Sequence, residues 1–196
     1  MGPQLKLVVV GKNQEDCYRF VQNDNFHTLG HLVALEANRT GRAIAAIGNY
    51  HLSRENFEVF GLCHADTIFQ NGALETFLDT AAAGRVCGMV GRDLHGNYVW
   101  SKDIGDPVDV STLDCCSVFF RRDSGLRFDK ETFDGFHCYV EDLCLQAHAK
   151  GIPVVVPPAK ASHLEESTRN PEWQAQYKVY RKRLADKWTG TVFQTT

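Results

Sequence analysis

The chain has 196 residues, 43% hydrophobic and 23% charged, with a formal net charge of −3. That length suits one domain able to bury a core without covalent staples. The balanced charge argues against a nucleic-acid partner, which needs a strongly basic surface. Seven cysteines is an odd number, and no CxxC pair occurs, so a complete disulfide framework is excluded and reduced thiols are expected. The first residues lack the basic start and apolar core of a signal peptide, and their apolar run is too short to span a bilayer. A cytoplasmic location is the expectation.

Leu5 to Val10 is a Val-rich run closed by Gly11, the pattern of a buried strand entering a loop. Asp16 to Val21 fits a short helix. Leu32 to Asn38 mixes apolar and polar residues without a clear period, and Thr40-Gly41-Arg42 breaks it. Ala43 to His51 predicts a helix, with Ile44, Ile47 and His51 at helical spacing. Phe57 to Cys63 predicts a second buried strand that ends at His64-Ala65-Asp66. Gly72 to Ala83 is a helical pattern with Leu74, Phe77, Leu78 and Ala81 on one face and Gly84 as its stop. Val86 to Val90 is a third apolar run.

Arg92 to Asp109 is polar, punctuated by Gly and carries Trp100, which predicts a loop or hairpin. Val118 to Phe120 is a short strand, followed by a charged connection from Arg121 to Thr132. Glu141 to Lys150 predicts a helix stopped by Gly151, and Ile152 to Val156 a strand closed by Pro157-Pro158. From Pro171 onward runs a basic helix with Trp173, Tyr177 and Tyr180 on one side. Strands alternating with helices predict an α/β domain with a mostly parallel central sheet flanked by helices. In such a sheet ligands gather beyond the carboxyl ends of the strands.

Three groups of residues have chemistry to offer. His64 and Asp66 are two apart at a strand end, so an extended backbone points both to one side. A carboxylate with an imidazole suits Mn²⁺, and a carboxylate alone suits Mg²⁺; a polar strand terminus with no ligand has the same sequence. Glu141-Asp142 opens a helix, where the macrodipole alone stabilises acids by roughly 0.3–1 kcal/mol each. The aromatic approach of Phe133, Phe136 and Tyr139 adds the desolvation that a carboxylate needs to act as a general base. His163 follows the last apolar strand, where an isolated histidine is more often structural.

Residues 127–151 read RFDKETFDGFHCYVEDLCLQAHAKG. This segment resembles the family-two-like glycosyltransferases of the GT-A (nucleotide-diphospho-sugar transferase) fold, notably small galactosyltransferase-like members. There an arginine and "FD" lead to "GFH", an aromatic, an acidic pair and "LCL". Asn49 to Asp66 is similar to the family stretch ending in a DxD-type metal motif, with His64 at its first acid. His163 matches the histidine that completes the metal site, and Trp173 with Lys187-Trp188 the closing helix. The family's acidic "DDGS"-like turn has no counterpart before Gly41; Asp24 is the nearby acid that might substitute.

The resemblance implies one glycosyltransferase domain over residues 1–196. It comprises an abbreviated nucleotide-binding half (1–66), an acceptor and catalytic half (67–170) and a C-terminal helix (171–190). It implies metal-dependent, inverting transfer of a sugar from a nucleotide-diphosphate donor, a UDP-sugar foremost, to a hydroxyl of a glycan or other acceptor. Asp66 and His163, with help from His64, would hold Mn²⁺ or Mg²⁺. Asp142 would be the general base and Glu141 an orienting residue. Arg42, Asn49 and Asp66 would face the nucleotide; Trp100, Gly135, Phe136 and His137 would shape the sugar and acceptor sites. The basic stretch from Lys178 to Lys187 leaves room for peripheral contact with an anionic membrane, although a solvated helix face accounts for it as well.

The short first half equally fits a non-catalytic or degenerate nucleotide- or carbohydrate-binding module. A nucleotidyltransferase would want a richer phosphate loop than Val10-Gly11-Lys12. A zinc protein built on Cys63, His64, Cys115, Cys116, His137 and Cys138 would need a ligand spacing that the chain does not show.

Overall fold

The computed structural model describes residues 4–23, 32–38, 43–54, 56–70, 72–164 and 171–195. A βαβ unit opens the chain: β1 (Leu5–Gly11), α1 (Gln14–Asn23) and β2 (Leu32–Ala37), with β1 and β2 parallel. The run from Leu32 to Ala37, assigned to no element by pattern, is thus a strand. It lies at the sheet edge and is only half-buried, so neither strict alternation nor a fully apolar run marks it. Helix α2 (Ile44–Leu52) then leads to β3 (Val59–His64), which pairs parallel with the other side of β1. The Val10–Gly41 interval, short as it is, therefore holds a helix and a strand. Asp24 and Arg42 lie outside the described residues.

The chain continues through β4 (Thr67–Phe69), α3 (Ala73–Ala82), β5 (Val86–Cys87), β6 (Val90–Arg92), β7 (Tyr98–Trp100), β8 (Val108–Asp109), β9 (Thr112–Leu113) and β10 (Ser117–Arg121). It closes with α4 (Tyr139–Ala149), β11 (Val154–Val156), β12 (Ala161–His163) and α5 (Pro171–Lys187). The main sheet has the order β2-β1-β3-β10-β5-β11-β8. β1, β2, β3, β5 and β11 run one way, while β10 and β8 run against them. The segment expected to be a loop or hairpin is a β6–β7 hairpin in a small sheet with β9.

Strand β1 shows why the sheet sits at the centre. All seven of its residues are buried, and alternate side chains point to opposite faces. Leu5, Leu7 and Val9 join Phe20 of α1 and Leu74, Phe77 and Leu78 of α3 in one core. Val8 and Val10 join Ile44 and Ile47 of α2 and Val140, Leu143 and Leu145 of α4 in the other. Helices therefore cover both faces, which is the three-layer α/β arrangement that the sequence predicts. Leu184 of α5 is fully buried in the α2–α4 core. Among the described residues no helix is long and apolar enough to cross a membrane.

The reversed strand β10 has a local consequence. Because it is antiparallel to β3, its entry lies beside the exit of β3. Ser117 is opposite Cys63, and the His64 amide donates to the Cys116 carbonyl at 2.9 Å. The loop Asp114–Cys116 thus lies at the carboxyl ends of the parallel strands.

Candidate metal centre

Strand β3 carries His64 to its end, and the turn through Ala65 and Asp66 leads straight into β4. β12 pairs antiparallel with β4 and sets His163 opposite Thr67; the Leu164 amide donates to the Asp66 carbonyl at 3.0 Å. Residues 97 positions apart in sequence therefore meet: His163 Nε2 lies 3.1 Å from Asp66 Oδ1. The imidazoles of His64 and His163 are 5.7 Å apart between centroids. One ligand atom from each of His64, Asp66 and His163 falls within 4.8 Å of the others, and the same holds for Asp114, Cys116 and His163.

Hydrogen bonding prepares His64 for a cation. Tyr139 Oη donates to the Cys115 carbonyl at 2.9 Å and lies 3.1 Å from His64 Nε2. With its one proton spent on Cys115, the phenol accepts from Nε2–H, so the Nδ1 lone pair points elsewhere. A hydrogen bond of this kind to the nitrogen that faces away from a cation fixes a ligating histidine's tautomer. Burial first, then the neighbouring His163, pushes the His64 imidazole below its ordinary value, keeping it neutral at pH 7. Asp66 is the exposed member. Burial would raise its carboxyl, but the His163 hydrogen bond and the two imidazoles outweigh this and leave it below the usual carboxylate value. Two imidazoles and a carboxylate form a donor set that fits Mn²⁺.

Asp114 was not singled out in the sequence, and Cys116 entered there only in the zinc-protein alternative. Asp114 Oδ1 accepts from the Cys116 amide at 2.8 Å. Burial, followed by the Asp114 charge, pushes the Cys116 thiol well up. Neither has a strand-end signature, because β10 is entered rather than left at this point; only its antiparallel pairing brings the two residues here.

The Glu141-Asp142 pair sits at the start of α4, whose N-cap, Cys138, has φ 61° and is the one non-Gly residue with positive φ among the described residues. The two acids face different surroundings. Asp142 is fully buried: Oδ1 accepts from Trp188 Nε1 at 2.8 Å and pairs with Lys187 Nζ at 2.7 Å, and Oδ2 accepts from Gln146 Nε2 at 2.8 Å. Lys187 also pairs with Asp129 at 2.8 Å. A carboxylate so engaged anchors α5 to α4, and the general-base role expected of Asp142 would require it to exchange these partners. Glu141 is also buried, but Cys115 Sγ donates to its Oε2 at 3.1 Å. It therefore touches the loop that carries Asp114 and Cys116.

The remaining sequence candidates separate. Asn49, expected to face the nucleotide, clasps the backbone at Phe128: Nδ2 donates to the Phe128 carbonyl at 2.7 Å and Oδ1 accepts from the Phe128 amide at 3.1 Å. Gly135 does permit a close approach, by Tyr180 of α5, whose ring a Cβ there would strike. Phe136 is exposed. His137 is buried at 4% exposure, and its Nε2 has no hydrogen-bond partner among the described residues. Its ring meets Trp173 edge-on at 4.7 Å between centroids and lies near Tyr177 and Tyr180. Burial, with nearby His64 adding to it, pushes this imidazole down to about 4. Trp100 is half-buried against the α1–α3 core with Lys102 Nζ 5.4 Å over its ring. On α5, Arg183 pairs with Asp134 and Lys182 with Asp186. Much of the basic stretch is thus committed within the molecule.

Neither a protein-family model nor a curated protein matches the chain in sequence. Solved structures do match in fold. The crystal structure of GalNAc-T7 with UDP, GalNAc and Mn²⁺ superposes with a TM-score of 0.60 at 8% identity, covering 95% of this chain and 49% of that one. The crystal structure of A197 from STIV superposes with a TM-score of 0.50 at 11% identity, covering 83% of this chain and 86% of that one. The chain shares the GT-A-like α/β fold of the GalNAc-T7 structure and spans about half the length of that chain. At these identities the likeness defines the fold and does not reach the family-two resemblance seen in the sequence.

Proposed function

We propose that the chain is a divalent-cation-dependent glycosyltransferase that moves a sugar from a nucleotide diphosphate, a UDP-sugar foremost, to an acceptor hydroxyl. The observation that carries this reading is the convergence of His64, Asp66 and His163 at the carboxyl end of β3, in a fold shared with a protein solved with UDP and Mn²⁺. His64, Asp66 and His163 would hold the cation. When bound, it supplies positive charge against the diphosphate as that group leaves.

The protein's own part is positioning and proton handling. Tyr139 holds His64 in the tautomer that offers Nδ1. Glu141 is the better placed of the acidic pair to take the acceptor proton, since it adjoins the loop beside the cation ligands while Asp142 is locked to Lys187 and Trp188. Exposed Phe136, with Trp173 and Tyr177 of α5, offers flat apolar surface for a sugar face. Inversion follows if a single displacement is used, and the small family-two-like members remain the family reading. Trp100 stays a candidate lid over the donor.

The test is turnover of a nucleotide-sugar panel with Mn²⁺ and with chelator, on wild type, Asp66→Asn, Glu141→Gln and Asp142→Asn. Cation-dependent turnover lost in Asp66→Asn and Glu141→Gln supports the assignment. Cation-dependent nucleotide binding without turnover on any acceptor would instead establish a binding module.

A further inference from the structure

The cluster at the end of β3 holds more donors than one hard cation uses. His64, Asp66 and His163 form one set; Asp114, Cys116 and His163 form another, also within 4.8 Å of one another. The two sets share His163 and differ in kind. The first offers nitrogen and oxygen alone; the second adds a sulfur. Thiolate sulfur selects Zn²⁺ and Co²⁺ over Mn²⁺ and Mg²⁺.

The second set is held by the fold. The Cys116 carbonyl accepts from the His64 amide and from Thr67 Oγ1, at 2.9 and 3.3 Å, which pins the loop between β3 and β4. The Cys116 amide engages Asp114 Oδ1, which fixes the carboxylate beside the thiol. A zinc ion with bonds of about 2.0–2.3 Å to nitrogen, oxygen and sulfur sets its donors roughly 3.3–3.8 Å apart. The three donors, all within 4.8 Å of one another, reach that spacing by small side-chain adjustments. Three protein donors leave a fourth position for water, as in open zinc sites.

We propose that Asp114, Cys116 and His163 form a second, thiolate-bearing cation seat that takes Zn²⁺ and, by claiming His163, excludes Mn²⁺ from the His64–Asp66 seat. Binding expels the Cys116 thiol proton to solvent, and ions that bond sulfur strongly drive that exchange. The seat rests on donor geometry and holds whether or not the chain transfers a sugar. Its consequence, zinc inhibition of a Mn²⁺-dependent activity, rests on the function proposed above.

Co²⁺ titration of the full chain, without any nucleotide sugar, reads the seat directly. The expected result is one Co²⁺ per chain with a near-ultraviolet thiolate-to-cobalt band, lost in Cys116→Ser and kept in Cys115→Ser and Asp66→Asn. In Cys116→Ser, Zn²⁺ affinity falls by at least about tenfold while Mn²⁺ affinity changes less than about threefold. Bound Mn²⁺, followed by its paramagnetic resonance signal, is released by one equivalent of Zn²⁺. Absence of the band in folded wild type overturns the proposal, whatever the stability of the variants. So does a band that survives Cys116→Ser, or Mn²⁺ and Zn²⁺ bound together. Failure of the transferase assay alone leaves these readouts intact.

Discussion

Two carboxylates with nearly opposite surroundings organise this molecule. Asp66 is exposed at a strand end among histidines and a thiol, with His163 as its hydrogen-bond partner. Asp142 has no exposure and meets Lys187, Trp188 and Gln146 with both of its oxygens. The first cluster gathers His64, Asp66, Asp114, Cys116 and His163 within a cation's reach of one another in two overlapping sets. The second is closed, and what it secures is the docking of α5. Sequence position distinguishes the two poorly, since both are acids where a ligand-binding sheet collects them.

The largest effect expected from breaking this contrast is on stability at Asp142. Asp142→Ala leaves Lys187 half-buried with one partner fewer and Trp188 Nε1 unpaired, and should cost about 3–5 kcal/mol in urea unfolding. Near-wild-type stability in that variant would end the anchor reading. Acid should expose the second buried site, His137. Its folded value is about 4, below the unfolded value of roughly 6.5. The unfolded chain therefore binds the proton first as pH falls, and stability is lost between about pH 6.5 and 4, by roughly 1–3 kcal/mol. His137→Leu should flatten that part of the pH–stability curve; an unchanged slope would assign the acid sensitivity elsewhere.

Gly135→Ala sets a methyl against the Tyr180 ring and should cost about 1–3 kcal/mol by overpacking, read as a lower urea midpoint. A stabilised variant would mean that α5 yields easily. The smallest effect belongs to the open cluster. Asp66→Asn should leave urea stability within about 0.5 kcal/mol of wild type, while weakening Mn²⁺ binding at least about tenfold. A large loss of stability there would make the cluster structural and collapse the contrast.

Most of the layer order was legible in the sequence because β1, β3 and β11 are apolar runs and α3 and α4 carry clear apolar faces. β2 was not, since an edge strand half-covered by one helix needs neither alternation nor a fully apolar run. His64 and Asp66 were legible because they close a recognisable strand, whereas His163 was an isolated histidine that only the family resemblance picked out. Asp114 was hidden, and Cys116 appeared only in the zinc alternative, because the reversal of β10 brings a strand's entry to the site where exits collect. The acidic pair was visible at its helix start, but the partners of Asp142 lie 45 and 46 residues further on. No local pattern links an acid to a lysine and a tryptophan on another helix. The Asn49 clasp was out of reach for the same reason: its partner, Phe128, lies 79 residues away.

The central claim is that the β3–β12 cluster binds a divalent cation together with a nucleoside diphosphate. Calorimetric titration of Mn²⁺ into the full chain with UDP present tests it most directly, on wild type and on Asp66→Asn and His163→Ala. One Mn²⁺ per chain is expected, bound more tightly with UDP than without, and at least about tenfold weaker in each variant. Equal Mn²⁺ affinity in wild type and both variants would contradict it.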